Sequence, residues 1–464
     1  MSALLAFLAP TLLGLAVVAA LDPAADGTRA GRLLRAVTGV ALGAALVSAS
    51  HAAILLFAGS SASARSTAKD LGFSAVAALA GAALWRGRRR APGGSPPLAP
   101  PSPRVPAAAL GAVALACLAT AAILVVRTRA MPDGEWDAYA FWNLRARLLL
   151  RGGGDAGVVF SGETFHPDYP LLVPGLTATG WLYTGDGPRW VPAVGAFLWM
   201  SLLVVGMGAA AARLAGARAA CLGVLLLLGA PNLAKVASWQ YADVPTAALL
   251  LLAVTWYALA LREPRAGARA RLALCGLCVS LASWTKNEGL AQALVLAIAV
   301  ATIPPAGLPR GKALLAFAAG AAPFLALSIA FKASIGPGND LLAQAAPGSL
   351  LSRVTDPGRY LQIARSFGEE AFRTSAWNLL IPLALLAPAL WTPAGLPRER
   401  RAIGTVLVLL GLAYAGVYVL TPKPLVWHLS SSLHRLLIHV YPLLVLAAVV
   451  WRGRLRWMPR PRGA

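Results

Sequence analysis

Residues 106–126 read PAAALGAVALACLATAAILVV, an unbroken apolar run with Arg104 before it and Arg127 and Arg129 after it. About 20 apolar residues in a helix cross the hydrocarbon of a bilayer. The run lacks the apolar–polar alternation of an outer-membrane barrel. Its crossing element is therefore a helix, which satisfies its own backbone hydrogen bonds in lipid.

The same pattern recurs along the chain. Apolar runs at 3–21, 36–58, 68–85, 106–126, 190–212, 218–231, 245–262, 272–284, 289–304, 313–331, 375–391, 402–420 and 436–451 predict an all-α polytopic membrane protein, a helical bundle of about thirteen spans. The two short pairs, 218–231 with 245–262 and 272–284 with 289–304, are either tilted spans or segments that dip into the bilayer and return. The first run, Leu4–Leu21, has no basic leader and no small-residue cleavage site, so it reads as a span.

Composition agrees. Of the 464 residues, 58% are hydrophobic and 13% charged, with a mean hydropathy of +0.67. A soluble enzyme, a disordered tail and a fibrous repeat are excluded on those figures. The net charge of +23 would suggest nucleic acid in a soluble protein. In a membrane protein it marks cytoplasmic loops, and no nucleic-acid partner is expected. Cys275 and Cys278 have metal-ligand or redox spacing, but inside an apolar run they read as two small residues on one helical face.

Placing the C-terminal tail RGRLRWMPRPRGA in the cytoplasm also puts the linker that starts at Arg86 there, and most basic residues then lie inside. The acidic residues gather on the opposite, extracytoplasmic side. The expected organisation is a three-span unit over 1–90, a cytoplasmic Pro/Ser/Gly linker over 91–105, a core over 106–304, and C-terminal spans over 305–464 with outside loops 332–374 and 421–435. The expected localisation is the inner (plasma) membrane, multi-pass, with the polar side facing the periplasm or exterior.

The first large outside loop, 127–189, carries Asp133, Glu135, Asp137, Asp155, Glu163, Asp168 and Asp186. Its stretch DAYAFWNLRARLLLRGG reads as an amphipathic helix, with Trp142, Leu144 and leucines 148–150 in the interface and arginines snorkelling. The next stretch, FHPDYPLLVPG, is proline-rich and is expected to be irregular. Three shorter outside segments are polar and aromatic: SWQYADVP at 238–245, WTKNEG at 284–289 and VWHLSSSLHR at 426–435. Each has a plain reading as an interfacial belt or a solvated helix end. Their gathering on one side suggests instead one polar cleft at the membrane boundary.

Such a cleft has definite chemical uses. A carboxylate takes a proton from an acceptor hydroxyl or amine as a bond forms. Arginine and lysine hold a phosphate leaving group. Aromatic rings stack on sugars or contact a prenyl chain. These parts suit glycosyl transfer from a lipid-linked phosphate, although transporters also place carboxylates in membranes.

The motifs WDAYAFWNLRAR around Asp137, His166-Pro167-Asp168-Tyr169-Pro170-Leu171, Tyr241-Ala242-Asp243-Val244-Pro245 and Thr285-Lys286-Asn287-Glu288-Gly289 occur in this order on the outside. In them the chain resembles the GT-C superfamily of polyprenyl-phosphate-sugar-dependent membrane glycosyltransferases. The similarity is to bacterial protein-mannosyltransferase-like and lipid A aminoarabinose transferase-like members. It covers about 106–304 and extends more loosely through Trp427, His428 and Arg435. Two features depart from the pattern: Ala138 stands where a second carboxylate often comes after the aspartate, with Glu135 as a substitute, and three spans precede the usual first one.

The resemblance implies a GT-C-like fold, a polyprenyl-phosphate-sugar donor, a lipid, glycan or protein acceptor, and inversion at the anomeric carbon. Asp137 is the candidate general base; its plain alternative is a helix N-cap. Asp243, before Pro245, is either an orienting carboxylate or an N-cap. Lys286 is a donor-phosphate contact or a surface partner of Glu288. Glu135, His166, Asp168, Tyr241 and Glu288 are candidates for acceptor or donor binding, and Arg353, His428 and Arg435 for donor phosphate. His434 and His439 read as helix-face residues. The run Asp133, Glu135, Asp137 permits a divalent cation but equally fits a solvated loop, so no metal site and no certain cofactor is predicted. The competing functions are a transporter or flippase of a lipid-linked sugar or other polar solute, and a non-catalytic scaffold.

Overall fold

The computed structural model describes residues 2–22, 28–57, 105–151, 166–185, 187–263, 265–334, 349–373, 375–377 and 396–452. The run at 68–85, the linker at 91–104, nearly all of the run at 375–391 and the tail beyond 452 lie outside them, as do Asp155, Glu163 and Asp186. Within the described residues the structure is helical, without strands. The helices are α1 (Ser2–Leu21), α2 (Arg29–Phe57), α3 (Ala107–Ala130), α4 (Asn143–Arg151), α5 (Leu172–Thr184), α6 (Trp190–Ala215), α7 (Ala217–Leu228) and α8 (Pro231–Ala237). They continue with α9 (Asp243–Ala260), α10 (Arg265–Ser283), α11 (Glu288–Thr302), α12 (Arg310–Ser334), α13 (Ser349–Val354), α14 (Pro357–Ala371), α15 (Arg398–Leu420) and α16 (Leu425–Arg452).

Among the described residues seven helices are long and apolar enough to cross a membrane, or eight if α7 and α8 form one span. That pair bends by 70° at a short break. The cause is local: Pro231 opens α8 at its first position, where a missing N–H costs nothing. The short run 218–231 is thus part of a broken span or a re-entrant element made with α8, not with the run 245–262.

The helix at the centre is α9. Every one of its residues is buried, from Asp243 to Ala260, and it packs against α6, α10, α15 and α16. A helix apolar on all sides needs neighbours on all sides. By contrast α3 has only Thr120 and Leu124 buried, and Leu115 and Leu118 are each 69% exposed. That exposure suits lipid. Ser48 of α2 ties three elements near one end: it donates to Leu171 O before α5 and accepts from Trp284 Nε1 after α10.

Two differences from the sequence expectation concern the segments around the site. Residues 426–435 are not a loop but the opening turns of α16. Their serines bond back along the helix: Ser430 to Trp427 O, and Ser431 and Ser432 to His428 O. A polar run can therefore stay helical. Likewise Leu172–Gly175 opens α5, with Pro174 in the first turn, where no intrahelical donor is needed.

Polar side chains collect at both ends of the bundle. At one end Arg271 pairs with Asp22 and Glu263, while Arg262 pairs with Glu399 at 2.9 Å and donates to Leu214 O. These contacts tie the ends of α1, α6, α9, α10 and α15. The other end holds the candidate residues, and its shape depends on the tight α10–α11 hairpin. A Cβ on Gly289 would collide with the backbone of Ala282 and Ser283. Gly289→Val is expected to destabilise the solubilised protein by roughly 1–3 kcal/mol, as overpacking does. Thermal unfolding in detergent reads this; an unchanged midpoint would show that the hairpin has room.

Candidate functional site

The site starts from two loops clamped together. After α3 the chain turns at Gly134, whose φ of +80° belongs to the left-handed region. A Cβ there would stand 2.6 Å from Trp239 O. The N–H of Glu135 donates to Trp239 O at 3.3 Å, and the N–H of Asp137 donates to the Tyr241 hydroxyl at 3.0 Å. Gln240 sits at φ +63°, an uncommon conformation for a residue with a side chain. Its amide holds it there: Nε2 donates to Pro132 O and Oε1 accepts from Asn143 Nδ2 at 3.0 Å.

A chain of alternating charges runs from this clamp into the bundle. Asp137 Oδ2 is 2.6 Å from Arg435 Nη1. Arg435 Nε donates to Asp243 Oδ2 at 3.2 Å, and Lys286 Nζ donates to Asp243 Oδ1 at 2.9 Å. The same ammonium reaches Glu288 Oε1 at 2.8 Å. His439 Nε2 lies 3.2 Å from Asp243 Oδ1, with Tyr414 OH 3.3 Å from its other ring nitrogen, and Gln292 donates to Tyr414 at 2.9 Å. Arg435 and His439 are one helical turn apart on α16, so both face Asp243. Asp243 and Glu288 each open a helix, where the helix dipole favours negative charge.

Burial grades this chain. The side chains of Asp137 and Arg435 are each 14% exposed, whereas Asp243 is fully buried. Burial alone would push the Lys286 ammonium down, but Asp243 and Glu288 reverse the sign and hold its pKa above the ordinary value. Burial, with the Asp137 charge adding to it, pushes the Tyr241 phenol up, so it stays neutral.

A second group adjoins the first through Asn287. Its Nδ2 donates to Asp168 Oδ2 at 2.6 Å, and Lys332 Nζ reaches Asn287 Oδ1 at 2.6 Å and Asp168 O at 2.7 Å. Arg145 donates to His166 O at 2.7 Å and Tyr169 O at 3.0 Å. Its burial lowers its pKa to about 10, against the pull of Asp168. The His166 ring stacks on Tyr169 at 4.7 Å between centroids, and Tyr169 stacks on Trp142.

The fold is similar to that of ArnT from Cupriavidus metallidurans. The apo structure of that protein is 19% identical with a TM-score of 0.49, over 76% of this chain and 61% of that one. The form bound to undecaprenyl phosphate is 19% identical with a TM-score of 0.48, over 73% and 60%. The present chain thus spans about three fifths of ArnT's length. No protein-family model matches the chain, and no curated protein matches it.

The structure brings Asp137, Tyr241, Asp243, Lys286, Glu288 and Arg435 together and sets Asp168 beside them. Neither aspartate is a cap: Asp137 makes no capping bond, and Asp243 is the first residue of α9, with its carboxylate turned to Lys286, Arg435 and His439. The Lys286–Glu288 contact is buried and shared with Asp243. Arg353 and His428 make other contacts: Arg353 donates to Leu420 O, and His428 Nδ1 is 2.9 Å from Thr421 Oγ1. Glu135 Oε1 accepts from the N–H of Trp136. The carboxylates of the 133–137 run diverge, Asp133 pairing with Arg189 at 3.3 Å and Asp137 with Arg435. Among the described residues no group of three or more His, Cys, Asp or Glu is placed to hold a metal ion.

The interfacial expectation for 137–151 needs correcting. Residues Ala138–Trp142 form a π-helical turn, which adds a residue per turn and so rotates α4 about its axis. Trp142 and Arg145 consequently point into the protein, while Leu144 is 41% exposed and leucines 148–150 are half-buried. His439, Asn287, Lys332 and Arg145 were not singled out by sequence as site residues. The spacing of Arg435 and His439 carries a signal for one of them, hidden because the apolar run begins only at 436 while the helix begins at Leu425.

Breaking this network has a measurable pH signature. A raised Lys286 pKa means that its stabilisation is complete below 10.5, its ordinary value, and is lost as pH rises through the folded value. Lys286→Met is expected to lower the thermal midpoint, because removing one partner of a buried pair costs about 3–5 kcal/mol. The gap to wild type should stay constant from about pH 6 to 9 and narrow only in stronger alkali. A gap that closes near neutrality would contradict the assignment.

Proposed function

We propose that this chain is an integral membrane glycosyltransferase of the GT-C type. It moves a sugar from a polyprenyl-phosphate-linked donor to an extracytoplasmic acceptor. The observation that carries this reading is the chain Asp137–Arg435–Asp243–Lys286–Glu288 at one end of the bundle, with its partly accessible end at Asp137. The motif resemblance adds to it.

In the reaction the acceptor oxygen or nitrogen bonds to the anomeric carbon as the bond from that carbon to the phosphate oxygen breaks. Asp137 accepts the acceptor's proton. Arg435 and Lys286 stabilise the negative charge that develops on the departing phosphate. A donor phosphate competes with Asp137 for Arg435, so donor binding frees the base that the second substrate needs. Asp243 positions both cations, and His439 fixes Asp243 from the other side. Tyr241, Glu288, Glu135, His166 and Asp168 shape the surroundings of donor and acceptor, while Arg353 and His428 contact the Leu420–Thr421 segment instead. Inversion results from direct displacement opposite the leaving group.

The protein would sit in the inner (plasma) membrane with this end facing outward. The opposite end carries Arg213, Arg262, Arg271, Arg400 and Arg401, which suits the cytoplasm. The broken α7–α8 pair favours a second reading as a transporter or flippase, since such proteins place substrate at interrupted helices.

Purified full-length protein, radiolabelled polyprenyl-phosphate sugars and crude envelope acceptors separate the two. Asp137→Asn is expected to reduce transfer by about 10²–10⁴-fold, the range of general-base contributions. Asp243→Asn and Lys286→Met should each slow turnover. Full transfer by Asp137→Asn would remove this residue from the mechanism, and uptake into sealed vesicles without transfer would favour transport.

A further inference from the structure

A cavity of about 320 Å³ flanks the same segment that carries Asp137. Its walls include Asp133, Tyr139, Asn143, Arg147, Trp181 and Arg189. None of these belongs to the chain of charges described above, although Tyr139 is only two residues from Asp137.

Two residues that line the cavity each carry a buried polar atom without a hydrogen-bond partner. Asn143 is buried, and its Nδ2 is used by Asp133 O and Gln240, but its Oδ1 has no hydrogen-bond partner. Arg147 Nε is likewise buried without a partner. Buried donors and acceptors are nearly always satisfied, and leaving one unmade costs a desolvation penalty. Here an acceptor and a donor stand unmet one helical turn apart on α4, on a single face.

The charges of the wall are unequal. Asp133 is committed to Arg189 at 3.3 Å. Arg147 has no acidic partner among the described residues, and among them the wall keeps one uncompensated positive charge. Its guanidinium carbon lies 5.4 Å from the centroid of the Trp181 ring, and the Trp181 indole is itself fixed by a bond to Pro188 O at 3.0 Å. Stacking on a fixed indole orients the arginine before any ligand arrives. Tyr139, 52% exposed, offers a ring face and a hydroxyl at the opening.

We infer that this cavity binds an acidic saccharide. Its carboxylate or phosphate pairs with Arg147, one ring hydroxyl donates to Asn143 Oδ1, and the sugar ring lies against Tyr139. A neutral sugar leaves the Arg147 charge unmet, and a small anion leaves Asn143 unmet. If sugar transfer is the function, which is the reading this assignment rests on, the ligand is the acceptor, held beside its base.

Binding is read without turnover, by calorimetry on the full-length protein in lipid nanodiscs. Glucuronate and glucose 1-phosphate are titrated against glucose, acetate and inorganic phosphate. At least one of the two acidic sugars should bind about tenfold or more tightly than all three controls, and comparison of the two assigns carboxylate or phosphate as the preferred acid. Arg147→Gln should lose that preference, and Arg147→Lys should keep part of it, with thermal unfolding showing both variants folded. Glucose or the simple anions binding as tightly as the acidic sugars, or a folded Arg147→Gln variant that retains the preference, would overturn the assignment. Loss of the binding preference while transfer still depends on Asp137 removes the pocket and leaves the enzyme. A retained preference with no transfer does the reverse.

Discussion

The arrangement turns on Arg435, one guanidinium shared by two carboxylates. It bonds Asp137 at the accessible edge and Asp243 in the interior, and its guanidinium carbon lies 4.8 Å from the centroid of the Tyr241 ring. A planar cation with several fixed donors reaches the two carboxylates through different nitrogens, Nη1 to Asp137 and Nε to Asp243. Taking three carboxylates and two cations out of water is expensive, and breaking any one contact strands a charge. This makes the network poor as a device for stability alone. Under the proposed function it acts as a preorganised field for a ligand that carries its own charge.

Everything around Arg435 serves to keep that field in place. The central helix α9 is buried on every side and delivers Asp243 from its first turn. The α10–α11 hairpin closes over Gly289 and delivers Lys286 and Glu288. The loop after α3 is pinned by Gln240 and Asn143, so Asp137 meets α16 rather than solvent. Asn287 then couples this field to Asp168 and Lys332, and through the 166–169 turn to Arg145. Stretches that are distant in sequence thus hold one geometry, while α3, with most of its surface exposed, contributes the loop and little else to the core.

Much of this was legible in the sequence because bilayer length and charge act locally. Most apolar runs fall on helices of the described residues, although α2 and α10 begin about seven residues and α16 about eleven residues before their runs, and the gathering of carboxylates in a few loops marked the end where Asp137, Asp243 and Lys286 meet. What was hidden depended on context. The serines at 430–432 look like loop residues until their hydroxyls are seen bonding back along α16. The π turn at 138–142 has no simple sequence sign, yet it decides that Trp142 and Arg145 point inward. His439 looked like an ordinary helix-face residue because its partner, Asp243, is far away in sequence. Arg353 and His428 shared the composition of the site but found backbone and hydroxyl partners elsewhere.

The most direct measurement is a cryo-EM map of the full-length protein in nanodiscs with polyprenyl phosphate bound. The account predicts phosphate oxygens within hydrogen-bond distance of Arg435 or Lys286, with the Asp137 carboxylate released toward the acceptor side. A phosphate bound away from both cations, with the Asp137–Arg435 pair intact, would contradict it.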